Sequence, residues 1–266
     1  MKLLHITDPH LVAPGEMLHG LNPDERLRAC IDDILKHHAD AQACVITGDL
    51  THRGELAGYQ TLSAQLRRLP MPVFPLVGNH DRRSVLRRAL ADVLDDGNGY
   101  VQGVQRLGTH SLVMLDTLSE GENGGRYDGT RPDWLRQVLD RECAQGQQVL
   151  LYLHHPPFPI GIPCLDRISL AHPQELAELL GNYPNIRHMF FGHVHRPVCG
   201  TWRGISFSTM RGLNHQVPFD LQTLSPVPKS HEPPAYAVSL VSPESVVTHF
   251  HDFLDHSLYV APARGL

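Results

Sequence analysis

Five short apolar runs in this sequence each stop at residues able to hold a metal ion. Residues 2–7 (KLLHIT) lead into Asp8-Pro9-His10, residues 43–47 (ACVIT) into Gly48-Asp49, and residues 72–77 (PVFPLV) into Gly78-Asn79-His80-Asp81. Residues 149–153 (VLLYL) lead into His154-His155-Pro156-Pro157, and residues 187–191 (RHMFF) into Gly192-His193-Val194-His195. Continuous apolar runs of this length read as strands buried on both faces. In open α/β sheets, groups just beyond the carboxyl ends of the strands meet in one crevice. Separation along the chain is therefore no obstacle to a shared site. Independent caps and turn formers would not select His or Asn at four of the five ends.

The segments between the runs are helical. Asn22 reads as an N-cap, with Pro23 at the first helical position, Glu25 three residues on, and Leu27, Ile31, Ile34 and Leu35 on one face to about residue 38. Residues 54–69 present Leu56, Tyr59, Leu62 and Leu66 before Pro70 and Pro72 stop the helix. A third helix is expected over 83–94, a fourth after a Thr130 cap burying Trp134, Leu135, Val138 and Leu139, and a fifth over 173–180. Residues 100–107 and 111–115 read as strands split by Gly108-Thr109. Beyond His195 the period changes: 201–202, 205–209, 236–240 and 245–250 alternate and read as antiparallel strands. Residues 214–235 are rich in Pro and polar residues and read as a long functional loop. We expect 1–213 to form a catalytic core, and 214–266 to add an active-site loop, the last core strands and a C-terminal extension of the same domain. The segment from about His251 is expected to cross the surface or meet a second subunit.

Composition narrows the function. With 266 residues and 41% hydrophobic content, the chain suits one large α/β domain. A net charge of −5 and 6% aromatics do not suit a nucleic-acid polymer as partner. The five cysteines, at 30, 44, 143, 164 and 199, form no CxxC pair and read as reduced thiols of a cytoplasmic protein. The first ten residues contain His5, Asp8 and Pro9 and offer no signal-peptide apolar core, and no apolar run approaches membrane-spanning length.

The ligand types are informative. Asp8, Asp49, Asn79, His10, His154, His193 and His195 comprise two carboxylates, an amide and four imidazoles. Seven groups exceed the roughly four ligands of a tetrahedral zinc. They suit two ions sharing one carboxylate. A mixed N/O set without thiolate suits Mn, Fe, Zn or Co. Two divalent ions about 3.5–4 Å apart can hold a hydroxide between them as a nucleophile. His80 beside Asn79 suits proton transfer, with Asp81 expected to keep its imidazole oriented.

The five blocks together resemble the signature of the calcineurin-like metallophosphoesterases, spanning residues 8–195, with Thr7 where Ser or Gly is usual. The resemblance implies a four-layer α/β/β/α sandwich of two mixed sheets, with a C-terminal antiparallel hairpin extension. It also implies that Asp8, His10 and His195 hold a first ion, that Asn79, His154 and His193 hold a second, and that Asp49 bridges. His154 is preferred to His155 because the family block reads H-x-P. The later loops, His154 to Pro159 with Gly161-Ile162-Pro163, and Asn214-His215-Gln216-Val217-Pro218, resemble the class III cyclic-nucleotide phosphodiesterase and glycerophosphodiesterase branch. That implies a small phosphodiester substrate, His215 at its border, Asn123 and Asp166 in the pocket wall, and a homo-oligomer. The competing expectations are a broad phosphomonoesterase and a non-catalytic scaffold of the same fold.

Overall fold

The computed structural model describes residues 1–255. Its strands form two mixed sheets. The first has the order β11-β10-β1-β2-β3, from Val246–His251, Tyr236–Val241, Lys2–Ile6, Ala43–Ile46 and Val73–Pro75. The second has the order β4-β5-β6-β7-β9-β8, from Gly103–Leu107, His110–Met114, Gln148–Leu153, Ile186–Phe191, Ile205–Thr209 and Val198–Trp202.

Side-chain alternation along the strands builds the layers. Leu3, Ala43 and Val45 of the first sheet meet Leu112, Met114, Leu150, Tyr152 and Phe190 of the second in an inner core. The alternate residues Leu4, Ile6, Cys44 and Ile46 face outward onto α1 (Pro23–His37) and α2 (Leu56–Leu66), through Leu27, Ile31, Ile34, Tyr59 and Leu62. Val113, Val149, Leu151 and Leu153 pack outward against Leu135, Val138, Leu139, Leu176 and Leu180 of α4 (Arg131–Ala144) and α6 (Gln174–Leu180). The result is helix, sheet, sheet, helix.

Local structure departs from the sequence reading in specific places. Asn22 caps α1 as expected, accepting from the amides of Asp24 and Glu25. Thr130 makes no side-chain cap bond to α4. The third helix, α3, covers only Arg83–Ala89, because Leu90 turns to an extended conformation. The loop before Leu170 contains a short helix, α5 (Pro163–Asp166). Among the late strands, β9 runs parallel to β7, while β8 pairs antiparallel with β9, and β10 antiparallel with both β1 and β11. Residues 214–235 contain no helix or strand apart from one bridge, Gln216 to Ser230. The expectation for the segment beyond His251 falls mostly on residues 256–266, outside the described residues. No helix among the described residues is long and apolar enough to cross a membrane.

Candidate metal centre

The carboxyl ends of β1, β2, β3, β6 and β7 bring all seven candidate ligands to one edge shared by the two sheets. Asp8, His10, Asp49, His193 and His195 all have positive φ, at 52°, 47°, 49°, 65° and 50°. Such backbone is costly for non-glycine residues and concentrates at functional sites. The approach is tight enough to require glycine at 78: a Cβ there would strike the Asp49 carboxylate and lie 2.7 Å from the His154 ring.

Two groups of donor atoms converge. In one, His195 Nε2 lies 3.1 Å from Asp8 Oδ1, His10 Nε2 lies 3.2 Å from His195 Nε2, and His10 Nε2 lies 3.5 Å from Asp49 Oδ2. In the other, Asn79 Oδ1 lies 3.2 Å from His154 Nε2 and 3.1 Å from His193 Nδ1, and Asp49 Oδ1 lies 3.5 Å from His154 Nε2. With metal–ligand bonds near 2.0–2.2 Å, ligands around one ion stand about 3–3.6 Å apart. The six separations above have that spacing, while His10 Nε2 stands 4.0 Å from Asp8 Oδ1, and Asp49 offers one oxygen to each group.

The hydrogen-bond pattern agrees with cation binding. His195 Nδ1 donates to the carbonyl of His215 at 2.6 Å, and His154 Nδ1 to that of Thr47 at 2.6 Å. In each ring Nε2 is thereby the nitrogen turned inward, free to ligate once it carries no proton. Asp8 Oδ1 is buried with no hydrogen-bond donor, while Oδ2 accepts from Thr7 Oγ1 at 2.6 Å and from the His193 amide at 3.2 Å. Asp8 Oδ1 and His195 Nε2, facing each other in a buried site, call for a proton or a metal ion between them. Burial favours neutral Asp8, but the charge of His195 holds its carboxyl well below the usual range; Asp8 in turn raises His195 against the effect of burial. Burial, reinforced by neighbouring imidazoles, lowers His10 and His193 well below an ordinary histidine. Neutral imidazole is the form that ligates. The residues present therefore fit a pair of divalent cations.

His155 stands behind this group. Its Nδ1 pairs with Thr117 Oγ1 at 2.8 Å, and its ring centroid is 4.7 Å from that of His193. His80 is one-third exposed at the lip, with Nδ1 donating to the carbonyl of His52 at 2.8 Å and Nε2 4.0 Å from Asp49 Oδ2.

Asp81 requires a correction. It does not orient His80. Its carboxylate accepts from the amides of Leu50 (3.0 Å), Thr51 (3.2 Å) and Gly78 (2.9 Å) and from Tyr59 Oη (2.9 Å). Those donors occupy both oxygens and tie the β2 end to the β3 end. Burial and the nearby Asp49 charge push Asp81 up to about 6. Asp166 is also placed differently from expectation: it accepts from the amides of Ile160 and Gly161 and braces its own turn.

A cavity of about 330 Å³ opens over the centre. His10, Asn79, His80, His193, His195, His215 and Asn123, all singled out from sequence, line it together with His19, His52 and Lys229, which were not. Leu165, Ile168, Val217 and Val227 form an apolar wall. The His215 ring lies 4.7 Å from that of His195, and burial, with the charges of His195, His19 and Lys229, pulls it down to about 2. It therefore faces the cavity as a neutral imidazole.

Comparison with known proteins identifies the family and the fold. Residues 1–197 match the family model described as calcineurin-like phosphoesterase. The chain is 39% identical over 256 residues to a probable cyclic nucleotide phosphodiesterase of Rhodopseudomonas palustris, covering 96% of this chain and 93% of the relative. It is 27% identical over 269 residues to a probable glycerophosphodiester phosphodiesterase of Arcobacter nitrofigilis, covering 100% and 95%. A crystal structure of a dimetal phosphatase from Danio rerio superposes with a TM-score of 0.72 at 17% identity, covering 96% of each chain, and so shares the fold.

Proposed function

This chain belongs to the calcineurin-like phosphoesterase family, and from that premise we propose that it hydrolyses small phosphodiesters at a centre of two divalent ions. The observation that carries the reading is Asp49, whose two oxygens each stand 3.5 Å from an imidazole of a different ligand group. Asp8, His10 and His195 would hold one ion; Asn79, His154 and His193 would hold the other, with Asp49 between them. Mn, Fe, Zn or Co suits these donors. Bound there, such ions would supply Lewis acidity towards the phosphate and towards a water molecule.

The chain's own groups do the rest. The His80 Nδ1 proton is committed to the His52 carbonyl, which leaves Nε2 at the lip to hand a proton to the departing ester oxygen. His215 borders the substrate and offers a neutral imidazole for hydrogen bonding. The apolar wall suits an organic substituent on phosphorus, and Lys229 adds a cation at the mouth. The two relatives named as diesterases support a diester over a monoester, with cyclic nucleotides and glycerophosphodiesters as candidate classes. We read residues 1–213 as the catalytic core, overhung by 214–235. We further read the protein as a cytoplasmic homo-oligomer joined through β10–β11, where Leu240, Val247 and Phe250 are exposed.

The test is to reconstitute the chain with Mn²⁺ or Zn²⁺ and compare 3′,5′-cyclic AMP, a 2′,3′-cyclic nucleotide, a glycerophosphodiester and a phosphomonoester. We expect turnover of at least one diester above that of the monoester. A strong monoester preference would overturn the diesterase reading, and inertness towards all four would overturn the enzyme.

A further inference from the structure

His52 lies outside the five strand-end blocks, three residues after Asp49, yet it touches two members of the centre. Its Nδ1 is 3.5 Å from His10 Nδ1, and the rings meet at 5.5 Å and 61°. The distance is at the long end of hydrogen bonding, as is common before substrate binds. On its other side the His52 ring stacks on His80, with centroids 4.9 Å apart and planes 21° from parallel, while its carbonyl accepts from His80 Nδ1.

We infer that His52 is a positioning residue that couples a metal ligand to the proton donor: its imidazole nitrogen orients His10, and its ring face orients His80. The inference rests on the reading of His10 as a ligand and His80 as the donor. The chemistry of His10 requires such a partner. Its Nε2 faces Asp49 and His195, so its proton sits on Nδ1 and needs an acceptor. His52 Nδ1 is the acceptor within reach, which places the His52 proton on Nε2. Stacking by the same ring limits rotation of His80 about its side-chain bonds, so that Nε2 stays over the cleft and not in solvent.

The two roles use different parts of one side chain, and two substitutions separate them. His52→Phe keeps a ring to stack on His80 but removes the acceptor for His10. His52→Asn keeps an acceptor near the Nδ1 position but removes the ring. Mn²⁺ affinity is measured by calorimetric titration of the metal-free full chain. Turnover is measured with matched diesters whose leaving groups are p-nitrophenolate and a simple alkoxide.

We expect His52→Phe to weaken Mn²⁺ binding by about tenfold or more, while the ratio of the two turnover rates stays near that of the wild type. We expect His52→Asn to bind Mn²⁺ within about threefold of wild type, but to lose about tenfold on the alkoxide substrate relative to p-nitrophenolate. Melting temperatures near wild type exclude general unfolding. A merely structural role would move both readouts together in both variants, and that pattern overturns the inference, as does no change in either. A wild-type chain that binds no Mn²⁺ overturns the ligand reading and the inference with it; normal wild-type binding with unaffected variants overturns the inference alone.

Discussion

Asp8 Oδ1 and His195 Nε2 stand 3.1 Å apart although 187 residues separate them in the chain. Asp8 follows a strand of the first sheet and His195 a strand of the second, so the contact exists only where the two sheet edges meet. His195 Nδ1 already donates to a carbonyl, so the facing pair needs a proton or a metal ion between them. Asp8→Asn therefore is expected to lose one ion per chain and to leave the other in place. Elemental analysis after dialysis reads the count.

Asp49→Ala is expected to lose both ions together, because each of its oxygens serves one group. Retention of one full equivalent would show that Asp49 does not bridge.

Asn79→Ala and His80→Ala separate neighbours on one corner. Asn79→Ala should weaken one metal site, since its amide oxygen faces His154 and His193. His80→Ala should keep both ions and lower turnover about 10²–10³-fold for diesters with alkoxide leaving groups, with a smaller loss for p-nitrophenolate. Loss of metal from His80→Ala would assign that ring to the ligand set.

Asp81→Ala should act chiefly on stability. It strands three buried amides and the Tyr59 hydroxyl, and an unsatisfied buried donor costs about 1–3 kcal/mol. A drop of at least about 3 kcal/mol in unfolding free energy is expected. Wild-type stability with reduced turnover would instead return Asp81 to the role of a partner for His80.

Glu142 sets an acid limit remote from the centre. Its buried carboxylate accepts from Arg106 through Nε at 2.7 Å and Nη2 at 2.8 Å, and from Ser111 at 2.7 Å and Arg141 at 2.8 Å. Burial favours the neutral form, yet these bonds bring it down to about 2. A folded value below the unfolded one, near 4.3, stabilises fully above that pH and fades as pH falls towards 2. Both arginines are partly exposed, so Glu142→Gln should cost only about 1–2 kcal/mol at neutral pH. It should also flatten the loss of stability between about pH 4.3 and 2. Denaturant titrations across that range check both.

The sequence exposed the parts of the site that sit at strand ends, because a buried strand followed by Asp, Asn or His is a pattern a single chain displays. It exposed the layers too, since doubly buried strands and one-sided helices leave different periods. It hid what depends on backbone groups. Asp81 looked like a partner for the adjacent His80, but the amides that claim it come from Leu50, Thr51 and Gly78, and a backbone amide has no sequence signature. His52 and Lys229 fall inside loops with no period, so nothing marked them as neighbours of the centre. The parallel pairing of β9 with β7 was hidden for a related reason: alternation reveals a strand, not the direction of its partner.

The most direct test is a titration of metal-free protein with Mn²⁺, following bound metal and diester turnover on the same samples. The binuclear reading predicts that turnover rises to a plateau at two equivalents per chain and that Asp49→Ala abolishes the rise. A plateau at one equivalent, or turnover independent of added metal, would contradict it.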